Sequence, residues 1–266
     1  MRTLSYRHIY LVPHLDDAVL SCGGLIHRQT EAGEPVLVIT VFAGSPSCPE
    51  LSVFATYLYH AWNLGTNPME GRRMEDQRAL AFLGAEYRHL EHMDCIYRSA
   101  PDGGGWLYPM RDDIFGDVHP AELDYGRALA RDLGPTLPLA GGTTLYAPLG
   151  IGHHVDHQIV RQAACILRRD GYEVCFFEDY PYSAAAGELE GALCDAPGCN
   201  WSSKLELLSS EDMEAKIAAI SRYTSQLDPL FGGPTEMRRR TIEFFSSLGT
   251  GGGYAERYWQ LGEERS

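Results

Sequence analysis

The chain has 266 residues, a formal net charge of −14 and a hydrophobic fraction of 44%. This length is ample for a sizeable core, and the acidic balance disfavours a nucleic-acid-binding protein, because such sites need a basic face. No apolar run approaches the length of a membrane span, and the N-terminus carries no secretory pattern. These features predict a cytoplasmic protein and leave its oligomeric state open, with a homo-oligomer possible.

Apolar periodicity predicts strands that alternate with helices along the first 180 residues. The predicted strands are HIYLVP, PVLVITVFAG, YRHLEHMD, TTLYAPLG and YEVCFFEDYP. The helices between them are DDAVLSCGGLIHRQTEAG, MEGRRMEDQRALAFLGAEY, PAELDYGRALARDLGP and HHVDHQIVRQAACILRRDG. This alternation favours an α/β fold with a mostly parallel sheet and helices on both faces.

Three long segments rich in Gly, Pro and Ser interrupt this pattern at residues 44–67, 97–119 and 181–210. Loops of this length in a compact domain are usually functional, so we expect them to wall a pocket. Two more helices follow, and the aromatic tail GTGGGYAERYWQL is predicted to pack back on the body. We expect one domain over 1–266, with a core at 1–180 and a loop and helical part at 181–266.

Seven cysteines with irregular spacing indicate reduced residues of a cytosolic protein rather than a disulfide framework. Cys194 and Cys199 in CDAPGC could pair or bind a metal, but a lone pair of cysteines is a weak zinc signal. We interpret both as ordinary loop residues.

Two clusters of imidazoles and carboxylates lie where strands are predicted to end and helices to begin. His14, Asp16 and Asp17 follow the first strand, and His154 and His157 follow TTLYAP. An aspartate that caps a helix would explain the first cluster alone. It does not explain two such clusters at the edge where parallel sheets bind ligands.

A histidine and an aspartate from the first cluster, with a histidine from the second, supply three metal ligands. Three ligands leave one coordination position open, which is typical of catalytic rather than structural zinc. The remaining aspartate can then take a proton, and the remaining histidine can stabilise an oxyanion or protonate a leaving group.

The motifs PHLDD and HVDH resemble the two His/Asp motifs of the LmbE/PIG-L family of zinc-dependent N-deacetylases. The segments GRRMED, LGAEY and KIAAISRYTSQL add weaker similarity. The resemblance implies a Rossmann-like fold, a Zn²⁺ cofactor and hydrolysis of an acetyl or similar acyl group from an N-acyl-glucosamine conjugate. The partner would be a small amino-sugar molecule.

The resemblance also implies roles for individual positions. These are the zinc ligands His14, Asp17 and His157; the general base Asp16, the second catalytic residue His154 and its tuning carboxylate Asp156, which we expect to raise the pKa of His154; and the sugar contacts Asp94 and one of Arg72 and Arg73. An arginine pair on a helix is also typical of a solvated face, so the sugar contacts rest on the resemblance alone.

The chain departs from the family pattern in two places. Leu15 stands where the family usually has proline, and Gly152 stands where some members place a tyrosine that donates to the oxyanion. Possible replacements in the long segments are Tyr108, Tyr180 and Tyr182. His153 is an extra imidazole, which leaves open a one-residue shift in the catalytic assignment; the spacing to His157 favours His154.

Two other functions are compatible with parts of the sequence. Two histidines and a carboxylate could form an Fe(II) site, but such enzymes typically have an all-β fold. A nucleotide- or sugar-binding Rossmann-like module without catalysis is the other alternative. The turn after the first strand has no G-x-G-x-x-G pattern, and the chain has no G-K-[ST] loop.

Overall fold

The computed structural model describes residues 5–46, 50–101, 103–194 and 200–262. Within these ranges one sheet contains seven strands: β1 (Tyr6–Val12), β2 (Val36–Thr40), β3 (Glu86–His89), β4 (Leu139–Pro148), β5 (Glu173–Phe177), β6 (Trp201–Leu208) and β7 (Tyr254–Leu261). Their order is β3-β2-β1-β4-β5-β7-β6. The first five strands are parallel, and β7 is antiparallel to β5 and β6. The predicted mostly parallel α/β fold is confirmed.

Helices cover both faces of this sheet. In the described ranges they are α1 (Asp17–Glu31), α2 (Val53–Trp62), α3 (Pro68–Phe82), α4 (Arg111–Ile114), α5 (Tyr125–Leu133), α6 (Val155–Arg169), α7 (Glu188–Cys194), α8 (Ser210–Ile220), α9 (Thr224–Phe231) and α10 (Pro234–Leu248). None of the helices in these ranges is long and apolar enough to cross a membrane.

The alternation of side chains along β1 divides the core into two layers. Tyr10 and Val12 pack in a cluster with residues of α1, α3, α8 and α10. Ile9 and Leu11 point to the opposite face and pack with residues of α5 and α6. Since β1 is buried on both faces, it reads as a continuous apolar run in the sequence.

Parts of the segments predicted as loops are regular structure. Residues 44–67 contain α2, whose N-terminus is capped by Ser52 through a 3.1 Å hydrogen bond from the backbone N–H of Ala55. Residues 181–210 contain α7 and β6. Strand β6 was missed because it is an edge strand whose residues are mostly exposed, so it lacks an apolar face. The aromatic tail forms β7, as its predicted return to the body requires.

The carboxyl ends of β1, β4 and β5 meet at one edge of the sheet, since these three strands are adjacent and parallel. Loops that carry the two predicted clusters leave from this edge, before α1 and before α6. Elsewhere, Cys194 is exposed and has no disulfide partner among the described residues. Cys199 lies outside the described residues, so the interpretation of Cys194 and Cys199 as ordinary loop residues stays a prediction.

Candidate metal centre and active site

The turn after β1 directs the side chain of Asp16 away from the helix that it precedes. Asp16 has the unusual backbone angle φ of 146°, and it occupies the N-cap position of α1 without making a side-chain cap hydrogen bond. Its backbone carbonyl accepts the N–H groups of Val19 and Leu20 instead. The capping alternative therefore fails for Asp16, whose carboxylate is left for another role.

The loop after β4 separates its two adjacent histidines. His153 has a positive φ of 59°, and its side chain is 40% exposed. His154 is buried, and its Nδ1 accepts the backbone N–H of Asp156 at 3.2 Å at the start of α6. His154 lines a cavity at this edge of the sheet, which favours His154 over His153 as the catalytic residue.

Three of the predicted ligands converge beside this cavity. The Oδ2 atom of Asp17 lies 3.5 Å from the Nδ1 atom of His14 and 3.5 Å from the Nε2 atom of His157. Among the described residues, that Nε2 atom is buried and has no hydrogen-bond partner. Burying such a group without a partner is costly. Two imidazole nitrogens and a carboxylate oxygen are also a donor set that zinc prefers, so the residues fit a metal ion.

The same region offers other donor combinations. Nitrogen atoms of His14, His154 and His157 lie within 4.8 Å of one another, and so do ligand atoms of His14, Asp94 and Asp156. The set of His14, Asp17 and His157 has the advantage that the carboxylate charge of Asp17 lies close to both of its histidines. It also leaves the Nε2 atom of His154 out of the metal site, 3.9 Å from the sulfur of Cys95.

Each of the two histidines predicted as ligands is oriented by a buried carboxylate. The Nε2 atom of His14 lies 3.0 Å from Asp156 Oδ2, and the Nδ1 atom of His157 lies 2.6 Å from Asp179 Oδ1. Metal-binding histidines commonly make such contacts through their second nitrogen, which fixes the tautomer and the ring orientation. Asp179 was not predicted from the sequence, although it follows β5 at the same edge of the sheet, where polar residues indicate a binding site.

The carboxylate of Asp156 has a different partner from the one expected. It contacts His14, and it forms an ion pair with Arg98, whereas only the backbone N–H of Asp156 bonds to His154. Burial lowers the pKa of His154 well below its usual value, His14 lowers it further, and the opposing effect of Asp156 does not compensate. The expected rise in the pKa of His154 is therefore wrong.

The cavity has a volume of about 570 Å³. Of the remaining predicted residues, Asp16, Arg72 and Asp94 line it and Arg73 does not. Asp16 lies 3.5 Å from the Nη2 atom of Arg72. Burial raises the pKa of the Asp16 carboxyl, and the charge of Arg72 opposes this rise. Asp94 also lines the cavity. Arg73 instead donates to the carbonyl of Ala43 and to Glu91.

Of the three tyrosines considered as oxyanion donors, Tyr182 has the suitable position. The hydroxyl of Tyr108 donates to Glu122, and that of Tyr180 lies 3.3 Å from Thr241. Tyr182 lines the cavity, and its hydroxyl has no partner in the described part of the chain. A side chain at Gly152 would meet the Tyr182 ring at 2.6 Å, so the glycine provides the space that this ring occupies.

Much of the remaining cavity lining is apolar. Side chains of α2, α4 and α9 and the residue after α4 contribute Phe54, Tyr57, Leu58, Trp62, Ile114, Phe115, Pro229 and Leu230, and the same elements add the polar residues Arg111 and Gln226. The arrangement can therefore hold a molecule with a polar reacting end and an apolar remainder.

Comparisons with known proteins agree with this arrangement. The model of the family PIG-L, GlcNAc-PI de-N-acetylase, matches residues 9–167, which is more than half of the chain. The 2'-N-acetylparomamine deacetylase of Niallia circulans is 31% identical over 86% of this chain and 84% of its own length. The 2'-N-acetylparomamine deacetylase of Streptomyces fradiae is 29% identical over 84% of this chain and 74% of its own.

Solved structures extend the similarity to the whole fold. A crystal structure of the zinc-inhibited form of teicoplanin deacetylase Orf2 has a TM-score of 0.85 and 30% identity, covering 97% of this chain and 100% of that one. The A40926 pseudoaglycone deacetylase Dbv21 has a TM-score of 0.78 and 28% identity, with coverage of 99% and 100%. With its family model, its relatives and its fold in agreement, this protein belongs to the PIG-L (GlcNAc-PI de-N-acetylase) family of deacetylases.

Proposed function

We propose that this protein is a zinc-dependent N-deacetylase that acts on an N-acetylated or similarly acylated amino sugar within an antibiotic-like glycoside. The observation that carries the proposal is the buried Nε2 atom of His157, which has no hydrogen-bond partner among the described residues and lies 3.5 Å from Asp17 Oδ2. In the proposal His14, Asp17 and His157 hold the metal. A bound zinc ion polarises a carbonyl and lowers the pKa of water toward neutrality.

Asp16 is proposed as the general base. Its carboxylate lines the cavity next to the proposed ligands, and burial moves its pKa upward, toward the pH at which a group both takes and returns a proton. Asp16 takes a proton from the attacking water as the new C–O bond forms. It then passes that proton to the amide nitrogen as the C–N bond breaks, which leaves a carboxylic acid and a free amine.

His154 and Tyr182 are proposed as donors to the substrate oxygen. Since the Nδ1 atom of His154 accepts a backbone N–H, the proton of the neutral ring is on Nε2. Because the pKa of His154 is lowered, its imidazole is neutral, and the neutral ring can donate the proton on Nε2. The two groups donate to the carbonyl oxygen as it becomes an oxyanion, where hydrogen bonds are worth most.

The apolar part of the cavity lining favours a substrate that itself has an apolar part. The relatives named above are deacetylases of acetylparomamine, teicoplanin and the A40926 pseudoaglycone, and all three names denote antibiotic or antibiotic-precursor molecules. Apolar residues of α2 and α9 line the same cavity as the proposed catalytic groups. These residues would make more apolar contacts with an aglycone or a long acyl group than with a small polycation. We therefore favour a glycopeptide-like glycoside as the substrate. In this proposal Asp94 and Arg72 contact the sugar, and the protein is cytoplasmic.

The test is a measurement of released acid with three substrates. Zinc-loaded protein is incubated with 2'-N-acetylparomamine, with an N-acylglucosaminyl glycopeptide and with free N-acetylglucosamine, and acid release is quantified. We expect the glycopeptide to be hydrolysed fastest and His157→Ala to be inactive. No release from any of the three by metal-loaded protein would overturn the proposed function. A preference for the acetylparomamine would overturn only the substrate choice.

A further inference from the structure

Arg98 is a buried cation outside both His/Asp motifs. It follows a 3-10 turn at Cys95–Tyr97 and is only 8% exposed. Its guanidinium carbon lies 5.0 Å from the centre of the Phe42 ring, 5.4 Å from that of Tyr108 and 5.6 Å from that of Tyr125. Three rings around one guanidinium keep it in a single position and away from water.

The guanidinium joins two buried carboxylates. Its Nη1 atom lies 2.6 Å from Asp156 Oδ1, and its Nε atom lies 2.7 Å from Glu122 Oε1. Asp156 is 0% exposed. A fully buried carboxylate needs a charged partner to stay ionised, and among the described residues Arg98 is the arginine that pairs with it.

Asp156 passes this constraint to His14. Its other oxygen, Oδ2, lies 3.0 Å from the Nε2 atom of His14 and accepts the backbone N–H of Cys95 at 3.0 Å. With Nε2 engaged in this way, the Nδ1 atom of His14 is the one that faces Asp17, 3.5 Å away. Arg98, Asp156 and His14 thus form a continuous series of contacts that ends at the proposed metal site.

The equivalent carboxylate behind His157 is held differently. Asp179 receives the backbone N–H groups of Gly150 and Ile151 on Oδ2, at 2.8 and 2.9 Å. Backbone donors position Asp179, whereas the side chain of Arg98 positions Asp156 together with one backbone donor. Among the residues that the structure describes, it is therefore the His14 side of the site that depends on a side-chain cation.

We propose that Arg98 is a positioning residue that sets the affinity of the site for its metal by holding Asp156 on His14. The inference rests on the proposed ligand set of His14, Asp17 and His157. Partners that orient metal-binding histidines typically change metal affinity by about 10–100-fold when they are lost. We expect a loss in this range for Arg98→Met.

The experiment measures zinc dissociation constants by competition with a chromogenic chelator. Arg98→Met is compared with Arg98→Lys, which keeps the charge and should recover part of the affinity. Glu122→Gln removes the other ion pair of Arg98, but leaves Asp156 and should bind zinc like the wild type. The matched control is Arg28→Met, which breaks an ion pair with Glu206 near the far end of α1.

The outcomes separate the inference from the proposed function. Wild-type affinity in Arg98→Met would overturn the inference, and so would an equal loss in Glu122→Gln, because packing rather than contact with Asp156 would then explain both. If Arg98→Met fails to fold, Arg98→Lys and Glu122→Gln carry the test. His157→Ala must lose the metal in every case. If it binds zinc like the wild type, the ligand set itself is wrong.

Discussion

Replacing Asp179 with asparagine tests the orientation of His157 at almost constant side-chain size. The aspartate uses one oxygen for His157 and the other for the N–H groups of Gly150 and Ile151. Asparagine has a single oxygen. Turning its NH₂ group toward the two backbone donors would leave two buried N–H groups unpaired, at about 1–3 kcal/mol each. The NH₂ group is therefore expected to face His157.

An NH₂ group in that position changes the tautomer of the histidine. Because NH₂ donates, the Nδ1 atom of His157 must accept, and the ring proton moves to Nε2, the atom proposed to bind the metal. Metal binding at Nε2 requires the ring proton on Nδ1, where it faces the NH₂ group, so the metal-bound form loses its hydrogen bond to a charged group at a cost of about 1.5–3 kcal/mol. At about 1.4 kcal/mol per tenfold change, this corresponds to a loss of roughly 10–150-fold in zinc affinity.

The assay is a competition of the variant with a chelator for zinc, alongside the exposed control Asp132→Asn. Asp132 has a side chain 64% exposed and lies outside the cavity. Thermal melts of both metal-free variants establish that each is folded. If folded Asp179→Asn binds zinc as tightly as the wild type, His157 does not bind the metal through Nε2, and the reasoning is refuted.

Three further predictions concern the groups proposed to act on the substrate. Asp16→Asn should keep its zinc and lose about 10²–10⁴-fold in turnover, the range for a positioned acid–base group; loss of zinc would make Asp16 a ligand. Tyr182→Phe should lower kcat by about 10²-fold or more if its hydroxyl stabilises the oxyanion, with unchanged zinc content, and an unchanged kcat would remove it from the mechanism. His154→Ala should inactivate the enzyme while His153→Ala does not, as measured by acid release, and the reverse result would shift the motif by one residue.

The sequence was sufficient to predict the five parallel strands of the sheet and the two motif-bearing loops. Both predictions depend on local information: apolar runs such as that of β1 reveal buried parallel strands, and polar residues directly after such strands mark the binding edge. His14, Asp17 and His157 could be grouped because two clusters at one edge of a sheet must lie near each other.

Contacts between distant segments were beyond the reach of the sequence. Arg98 and Asp179 contact motif residues that are 58 and 22 positions away along the chain, and no periodicity marks such partners. The pairing of Tyr182 with Gly152 depends in the same way on how two loops pack. The predicted rise in the pKa of His154 was wrong because burial lowers this pKa by more than the neighbouring carboxylate of Asp156 raises it, and the motif does not reveal burial.

The central claim is that His14, Asp17 and His157 bind a catalytic metal, and metal analysis of the purified protein tests it most directly. We predict about one zinc ion per chain in the wild type, and loss of it in both His14→Ala and His157→Ala, because a site with three protein ligands cannot spare one. The lost zinc should be accompanied by loss of acid release from an N-acylated amino sugar. Undiminished zinc in both variants would contradict the account.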